Sequence, residues 1–116
     1  MMMKVLLILS AGTLGTLVRY LISFLPFGTI IANALGCLLL GFFLSIGKDR
    51  ELFSPQYMQA ISIGFLGALT TFSTFTAETV EYLEANELFS AFGYVAANLL
   101  FGLALFFAGN YCARFF

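Results

Sequence analysis

The chain has 116 residues, of which 61% are hydrophobic and 9% charged, with a formal net charge of −1 and no histidine. Soluble domains carry about 25% charged residues, so a water-soluble fold of this size could not bury so much apolar surface. The charge argues against nucleic-acid binding, and the spacing of the two cysteines excludes a zinc or CxxC redox site. Composition therefore indicates a single-domain, all-α integral membrane protein.

Three apolar stretches have the length of a membrane-spanning helix, which needs about 20 apolar residues. They are residues 4–25, 29–47 and 89–113. The connection Pro26-Phe27-Gly28 is short, so we expect the first two helices to form an antiparallel hairpin. The second helix is predicted to end before the charged loop that starts at Lys48.

The remaining span, residues 57–83, is predicted to be broken. Residues 70–76 are rich in hydroxyl side chains at bilayer depth, and Gly64 and Gly67 precede them. Hydroxyl groups can bond to the backbone and loosen a helix, and glycine makes an interruption less costly. We expect the break near residues 67–71. Broken backbone inside a membrane is stable only where it faces protein, water or an ion, so this segment is the predicted functional centre.

Small residues on the other helices predict close helix packing and faces that contact a second subunit. The residues are Gly12, Gly15, Thr16, Ala32, Gly36, Gly102 and Gly109.

Polar side chains inside the spans are candidates for an ion pathway. Asn33 and Thr29 share a face of the second helix. On the last helix a narrow polar stripe recurs every four residues and consists of Ser90, Tyr94, Asn98 and Gly102. Such residues can instead hold helices together, each for under about 2 kcal/mol. Hydroxyl and amide groups donate hydrogen bonds. Because no carboxylate precedes Asp49, the pattern favours a small anion over a cation.

Further candidates flank these residues. Phe72 and Phe75 lie one helical turn apart, beside the hydroxyls of Ser73 and Thr74. The positive edge of an aromatic ring can face an anion, although helical spacing of aromatics also fits ordinary packing. Arg19 lies inside the first span, where it could extend to the interface or attract anions at a channel mouth.

The chain resembles the Fluc (CrcB-type) family of bacterial fluoride channels along essentially its whole length. The resemblance rests on Arg19-Tyr20, on Gly28-Thr29, on Asn33 and above all on the stretch from Gly64 to Glu78.

The resemblance implies a dual-topology dimer of antiparallel copies with two fluoride pores in the bacterial cytoplasmic (inner) membrane. Its role would be passive export of cytoplasmic fluoride, which lowers fluoride toxicity. Asn33, Phe72 and Phe75 match pore residues of the family. The polar track of the family corresponds to Thr29, Tyr94 and Asn98.

The resemblance also implies a structural sodium ion at the centre of the dimer, held by the backbone carbonyls of Gly67 and Thr70. This chain has Ala68 where the family usually has a second glycine. A carbonyl site tolerates alanine if that residue need not take a positive φ.

The distribution of basic residues bears on orientation. If the termini and the middle loop share one side, that side holds Lys4, Lys48, Arg50 and Arg114, and the other side holds at most Arg19. The positive-inside rule then favours cytoplasmic termini. Either this bias is too weak to fix the orientation, or the partner is a related chain inserted the opposite way.

Two other membrane functions and an enzyme are weaker interpretations. A small multidrug exporter has four helices of similar length but needs a membrane-embedded glutamate early in the chain, and none precedes Asp49. A structural membrane subunit would explain the small residues but not the hydroxyl-rich break. An enzyme lacks support because no nucleophile lies beside a base in the sequence.

Overall fold

The computed structural model describes residues 1–116 and contains only helices, four of which are long and apolar enough to span a membrane. Elements α1 and α2 are the first two spans, α3 and α4 are the two halves of the third, and α5 is the last. Their bounds are Met2–Ile22 for α1, Gly28–Arg50 for α2, residues 55–69 for α3, Phe72–Glu84 for α4 and Leu88–Cys112 for α5, with a final 3-10 turn at Ala113–Phe115.

The first two helices end at residues other than those predicted. Helix α1 stops at Ile22, three residues early, because Pro26 has no N–H to bond to the Ile22 carbonyl. That carbonyl accepts from the Leu25 amide instead, at 2.9 Å. Helix α2 continues past Gly47 to Arg50. Its last turn contains basic side chains, which favour the C-terminal end of a helix.

Glycines bring the helices close together. A Cβ on Gly64 of α3 would lie 2.7 Å from the Ile8 carbonyl oxygen of α1, and a Cβ on Gly15 would overlap the Phe65 carbonyl. Helices α2 and α5 meet in the same way, since a Cβ on Gly109 would overlap the Leu38 carbonyl. The predicted close packing of small residues is therefore present within the chain.

Little of the chain is buried within itself. Only 16 of 116 residues are buried, and the central apolar cluster consists of Ala32, Leu66 and Leu69. The chain measures 48 × 32 × 20 Å. Most large apolar side chains therefore face outward, as expected where lipid is the solvent.

Helix α3 is irregular before the break. It begins as an α-helix at Pro55–Gln59, continues as a π-helix at Ala60–Leu66 and ends with an α-helical turn at Gly67–Leu69. No feature of the sequence predicts the π-helix.

The break itself consists of Thr70 and Thr71. Both are extended, with φ/ψ of −86°/155° for Thr70 and −148°/121° for Thr71. The predicted interruption of the third span is confirmed, but it is narrower than residues 67–71, because Gly67 is still helical. The two β-branched threonines, not glycine, adopt the extended conformation. Ala68 is also helical and needs no positive φ.

Candidate functional site

The Asn33 side chain pairs with the backbone of the break. The Thr71 amide donates to Asn33 Oδ1 at 2.8 Å, and Asn33 Nδ2 donates to the Thr71 carbonyl at 3.2 Å. One side chain from α2 thus satisfies both backbone groups of a residue that has left the helix. Without it, those groups would lack partners where water is scarce.

Asn98 links the same side chain to α5. Asn33 Nδ2 donates to Asn98 Oδ1 at 3.0 Å, and Asn98 Nδ2 donates to the Tyr94 carbonyl at 3.0 Å. Asn98 and Tyr94 are buried, as is Gly102 of the predicted stripe, whereas Ser90 is exposed. Asn33 Nδ2 thus donates both of its hydrogens to protein groups. These are the contacts expected of an asparagine that holds helices together.

Thr71 also starts α4. Its hydroxyl oxygen accepts from the Thr74 amide at 3.1 Å, as an N-cap does, and lies 3.2 Å from the Thr74 hydroxyl. Ser73 Oγ lies 3.2 Å from the same oxygen but is exposed. Thr71 was part of the predicted break and not of the predicted pathway, and the structure makes it the centre of this hydroxyl cluster.

Glu78 is the residue that sequence reasoning missed. Its carboxylate accepts hydrogen bonds from Thr29 Oγ1 at 3.0 Å and from the Tyr94 hydroxyl. The sequence identified Glu78 only as the end of the stretch that carries the family resemblance, and it assigned the residue no role and no partner. Its position four residues after Thr74 puts it on the same face of α4, and that spacing could have identified it.

Four aromatic rings line up beside this cluster. The Phe72 and Phe75 rings are 5.5 Å apart between centroids, and Phe75 stacks on Tyr94 at 5.8 Å with an interplanar angle of 24°. Tyr82 follows at 5.6 Å from Tyr94. Phe75 is half-buried, whereas Phe72 is 78% exposed within the single chain.

Most of the predicted pathway residues line three adjoining cavities. The first, of about 330 Å³, has a lining that includes Asn33, Gly67, Thr70, Thr71, Phe72, Phe75 and Asn98. The second, of about 280 Å³, shares Thr71 with the first. The third, of about 610 Å³, shares Thr29 and Thr74 with the second and also contacts Glu78, Tyr82 and Tyr94. Ser73 lines none of the three.

Arg19 lines the second cavity together with Thr29, Thr71 and Thr74. The side chain is half-buried, and its Nε is buried without a hydrogen-bond partner. The structure therefore brings the cationic group of α1 next to the hydroxyl cluster of the break.

The break also frees two carbonyl groups. In an unbroken helix the amides of Thr71 and Thr74 would bond to the carbonyls of Gly67 and Thr70. Here these amides donate to Asn33 and to the Thr71 hydroxyl. Gly67 is exposed on the single chain and lines the first cavity with Thr70, so the two carbonyls predicted to hold sodium have lost their helical donors.

These features define the class of the protein. It is a multi-pass membrane protein in which side chains from two neighbouring helices surround a break in the third span, with polar, aromatic and cationic groups along one series of cavities.

The family follows from sequence comparison. Residues 6–110 match the family described as CrcB-like protein, Camphor Resistance (CrcB), and the chain belongs to this family. The resemblance expected from the sequence is thereby confirmed.

Curated relatives cover most of the chain. A "Fluoride-specific ion channel FluC" of Dehalococcoides mccartyi is 37% identical over 117 residues, which is 93% of this chain and 90% of the relative. One from Leptospira interrogans is 36% identical over 122 residues, covering 97% and 96%. One from Stutzerimonas stutzeri is 38% identical over 112 residues, covering 89% and 90%.

Proposed function

We propose that this protein is a passive, fluoride-selective channel of the bacterial cytoplasmic membrane that lets cytoplasmic fluoride leave the cell. The relatives named as fluoride-specific channels align with about nine-tenths or more of this chain. The observation that carries the proposal is the series of cavities around the broken helix, lined by hydroxyl groups, amides and aromatic rings. A channel requires no catalytic residue, which agrees with the expectation that the chain is not an enzyme.

Fluoride is small and strongly hydrated, so a selective pathway must replace its water with hydrogen-bond donors. The Thr29, Thr74 and Tyr94 hydroxyls line the third cavity. Two of them donate to the Glu78 carboxylate. Fluoride and the carboxylate therefore compete for the same donors, and conduction requires these hydroxyls to turn from Glu78 towards the passing ion.

The amides and rings have different parts in this proposal. Asn33 is bonded to the break, and Asn98 is bonded to Asn33, so Asn33 keeps the break open and lines the first cavity. The edges of Phe72 and Phe75 present partial positive charge to an anion there. A narrow space between these rings would also disfavour chloride, because chloride is the larger ion.

Arg19 is the proposed vestibule residue. Arg19 belongs to the lining of the second cavity, which also includes Thr71 of the break. A positive charge in a site of low dielectric raises the local anion concentration.

We further propose that two copies assemble in opposite orientations. Gly67 and Phe72 are exposed on one chain although they lie at the break, and backbone groups at bilayer depth need protein cover. The charges support an antiparallel arrangement. One end of the chain carries four basic residues and two acidic ones, Lys4, Lys48, Asp49, Arg50, Glu51 and Arg114, and the other carries Glu81, Glu84 and Glu87. Opposite ends of two copies inserted in opposite directions would therefore attract each other.

Orientation can be measured with a C-terminal tag. In a dual-topology homodimer the tag is modified from both sides of the membrane. Modification from the cytoplasmic side alone would reject the homodimer and favour a related, oppositely inserted chain as the partner.

A sodium ion at the centre of this dimer is the third part of the proposal. Two antiparallel copies would supply the carbonyls of Gly67 and Thr70 twice, and oxygen ligands of this kind suit a small hard cation. The ion would be structural, not transported. Replacing sodium by potassium in the purified protein should lower its melting temperature, and an unchanged melting temperature would contradict a sodium site.

Fluoride efflux from liposomes tests the function directly. Vesicles containing the purified protein and loaded with potassium fluoride should release fluoride when valinomycin balances the charge. Vesicles loaded with potassium chloride should release almost none. Equal release of both ions, or no fluoride release, would reject the proposal.

A further inference from the structure

We propose that Tyr82 is a positioning residue of the fluoride pathway, acting through Tyr94; this rests on the proposed function. The supporting observation is that the Tyr94 ring of α5 contacts two aromatic rings of α4. Tyr94 stacks on Phe75 at 5.8 Å and contacts Tyr82 at 5.6 Å, with an interplanar angle of 51°. Phe75 and Tyr82 are seven residues apart on α4, which is about two helical turns.

Glu78 occupies the turn between those two rings. It follows Phe75 by three residues and precedes Tyr82 by four, so all three share one face of α4. The Tyr94 hydroxyl donates to the Glu78 carboxylate at this position. Tyr94 is thus held at its ring by the aromatic neighbours on α4 and at its hydroxyl by the carboxylate between them.

Tyr82 completes this arrangement on the side of the third cavity. Tyr94 is 6% exposed, whereas Tyr82 is half-buried and lines that cavity with Thr29 and Glu78. The Tyr82 hydroxyl has no hydrogen bond to the protein. The ring of Tyr82 is therefore the part that holds Tyr94, and its hydroxyl is dispensable for positioning.

The role follows from the competition between fluoride and Glu78 for the Tyr94 hydroxyl. A Tyr94 ring fixed by Phe75 and Tyr82 can exchange its hydroxyl between two acceptors by a small rotation. Without the Tyr82 ring, Tyr94 would gain freedom to rotate away from its position beside Glu78. Its hydroxyl would then be out of hydrogen-bond reach of the passing ion for much of the time, which slows fluoride more than it affects chloride leak.

Liposome efflux with substitutions of Tyr82 tests the role. Tyr82→Phe retains the ring and should remain within about twofold of the wild type, whereas Tyr82→Leu should lower fluoride efflux about tenfold, as expected for loss of one aromatic pair. Tyr82→Met gives a second variant without the ring. Tyr111→Leu is the matched control, since Tyr111 also pairs with one aromatic ring, that of Phe115 at 5.4 Å, but at the opposite end of the helices.

A coupling measurement separates positioning from a general structural effect. Tyr94→Phe removes the hydroxyl, so adding Tyr82→Leu to it should change efflux by less than about twofold if Tyr82 acts only through that group. Wild-type efflux in both Tyr82→Leu and Tyr82→Met would overturn the inference, as would full additivity in the double variant. Absence of selective fluoride efflux in the wild type would instead reject the proposed function itself.

Discussion

Two stretches of the third span depart from α-helical geometry, and they differ in what bonds to them. The π-helix at Ala60–Leu66 contains mainly apolar residues and packs against α1 through glycine. Its two side-chain hydrogen bonds stay within the third span, from Ser62 to the Met58 carbonyl and from the Thr70 hydroxyl to the Leu66 carbonyl. At Thr70 and Thr71 the chain leaves the helix, and the Asn33 side chain from α2 bonds to the exposed backbone.

This difference in bonding indicates that the π-helix serves helix packing and that the break serves ion flow. A π-helix keeps its backbone groups bonded within the segment, so it needs nothing from its neighbours except room. An extended pair of residues leaves amides and carbonyls without helical partners, and polar side chains from other helices must gather around it. Substitutions at the π-helix should therefore affect folding, whereas substitutions at the break should affect ion flow.

The largest effect on flow is expected for Asn33→Ala. It leaves the Thr71 amide and carbonyl without their side-chain partner, and each unsatisfied buried group costs about 1–3 kcal/mol. Fluoride efflux from liposomes should fall about 100-fold or more. Asn110→Ala, at the far end of α5, is the matched control and should leave efflux unchanged. Wild-type efflux in Asn33→Ala would show that the break needs no partner.

Gly15→Ala should give the largest effect on folding. The added Cβ would overlap the carbonyl of Phe65 in the π-helix, and forced overpacking costs about 1–3 kcal/mol. The melting temperature in detergent should fall. In Gly12→Ala the Cβ would lie 3.6 Å from the Gly64 carbonyl oxygen, an ordinary contact, so this variant should melt as the wild type does. Equal melting temperatures for the two variants would contradict the proposed close packing.

Phe75→Ile should lower fluoride efflux about tenfold, because it retains apolar bulk but removes the ring that stacks on Tyr94. Phe107→Ile, on the outward face of α5, serves as a control. If efflux in Phe75→Ile matched that of the wild type, the aromatic edge would have no part in conduction.

The smallest effect is expected for Thr71→Val. Valine keeps the β-branch and thus the extended conformation. It removes the hydroxyl oxygen that caps α4 by accepting from the Thr74 amide. Loss of an N-cap costs about 1 kcal/mol, so the melting temperature should fall slightly and efflux should decrease by about threefold to fivefold. Thr76→Val, whose hydroxyl bonds only to the Phe72 carbonyl, is the control. A loss as large as that of Asn33→Ala would mean that the cap, and not Asn33, holds the break.

The sequence predicted the four spans and the break because both follow from local composition. Apolar length identifies a span, and the hydroxyl run from Thr70 marks a stretch that competes with the helix for hydrogen bonds. The contacts of Glu78 could not be predicted in this way, since they depend on how α2 and α5 rotate against α4. The π-helix could not be predicted either, because Ala60–Leu66 has the composition of an ordinary apolar α-helix.

The central claim is that the break and its neighbours conduct fluoride and exclude chloride. The reversal potential of the purified protein in a planar bilayer, with fluoride on one side and an equal concentration of chloride on the other, measures this most directly. The account predicts a large reversal potential, with the sign expected when fluoride crosses and chloride does not. A reversal potential near zero, with measurable current, would contradict it.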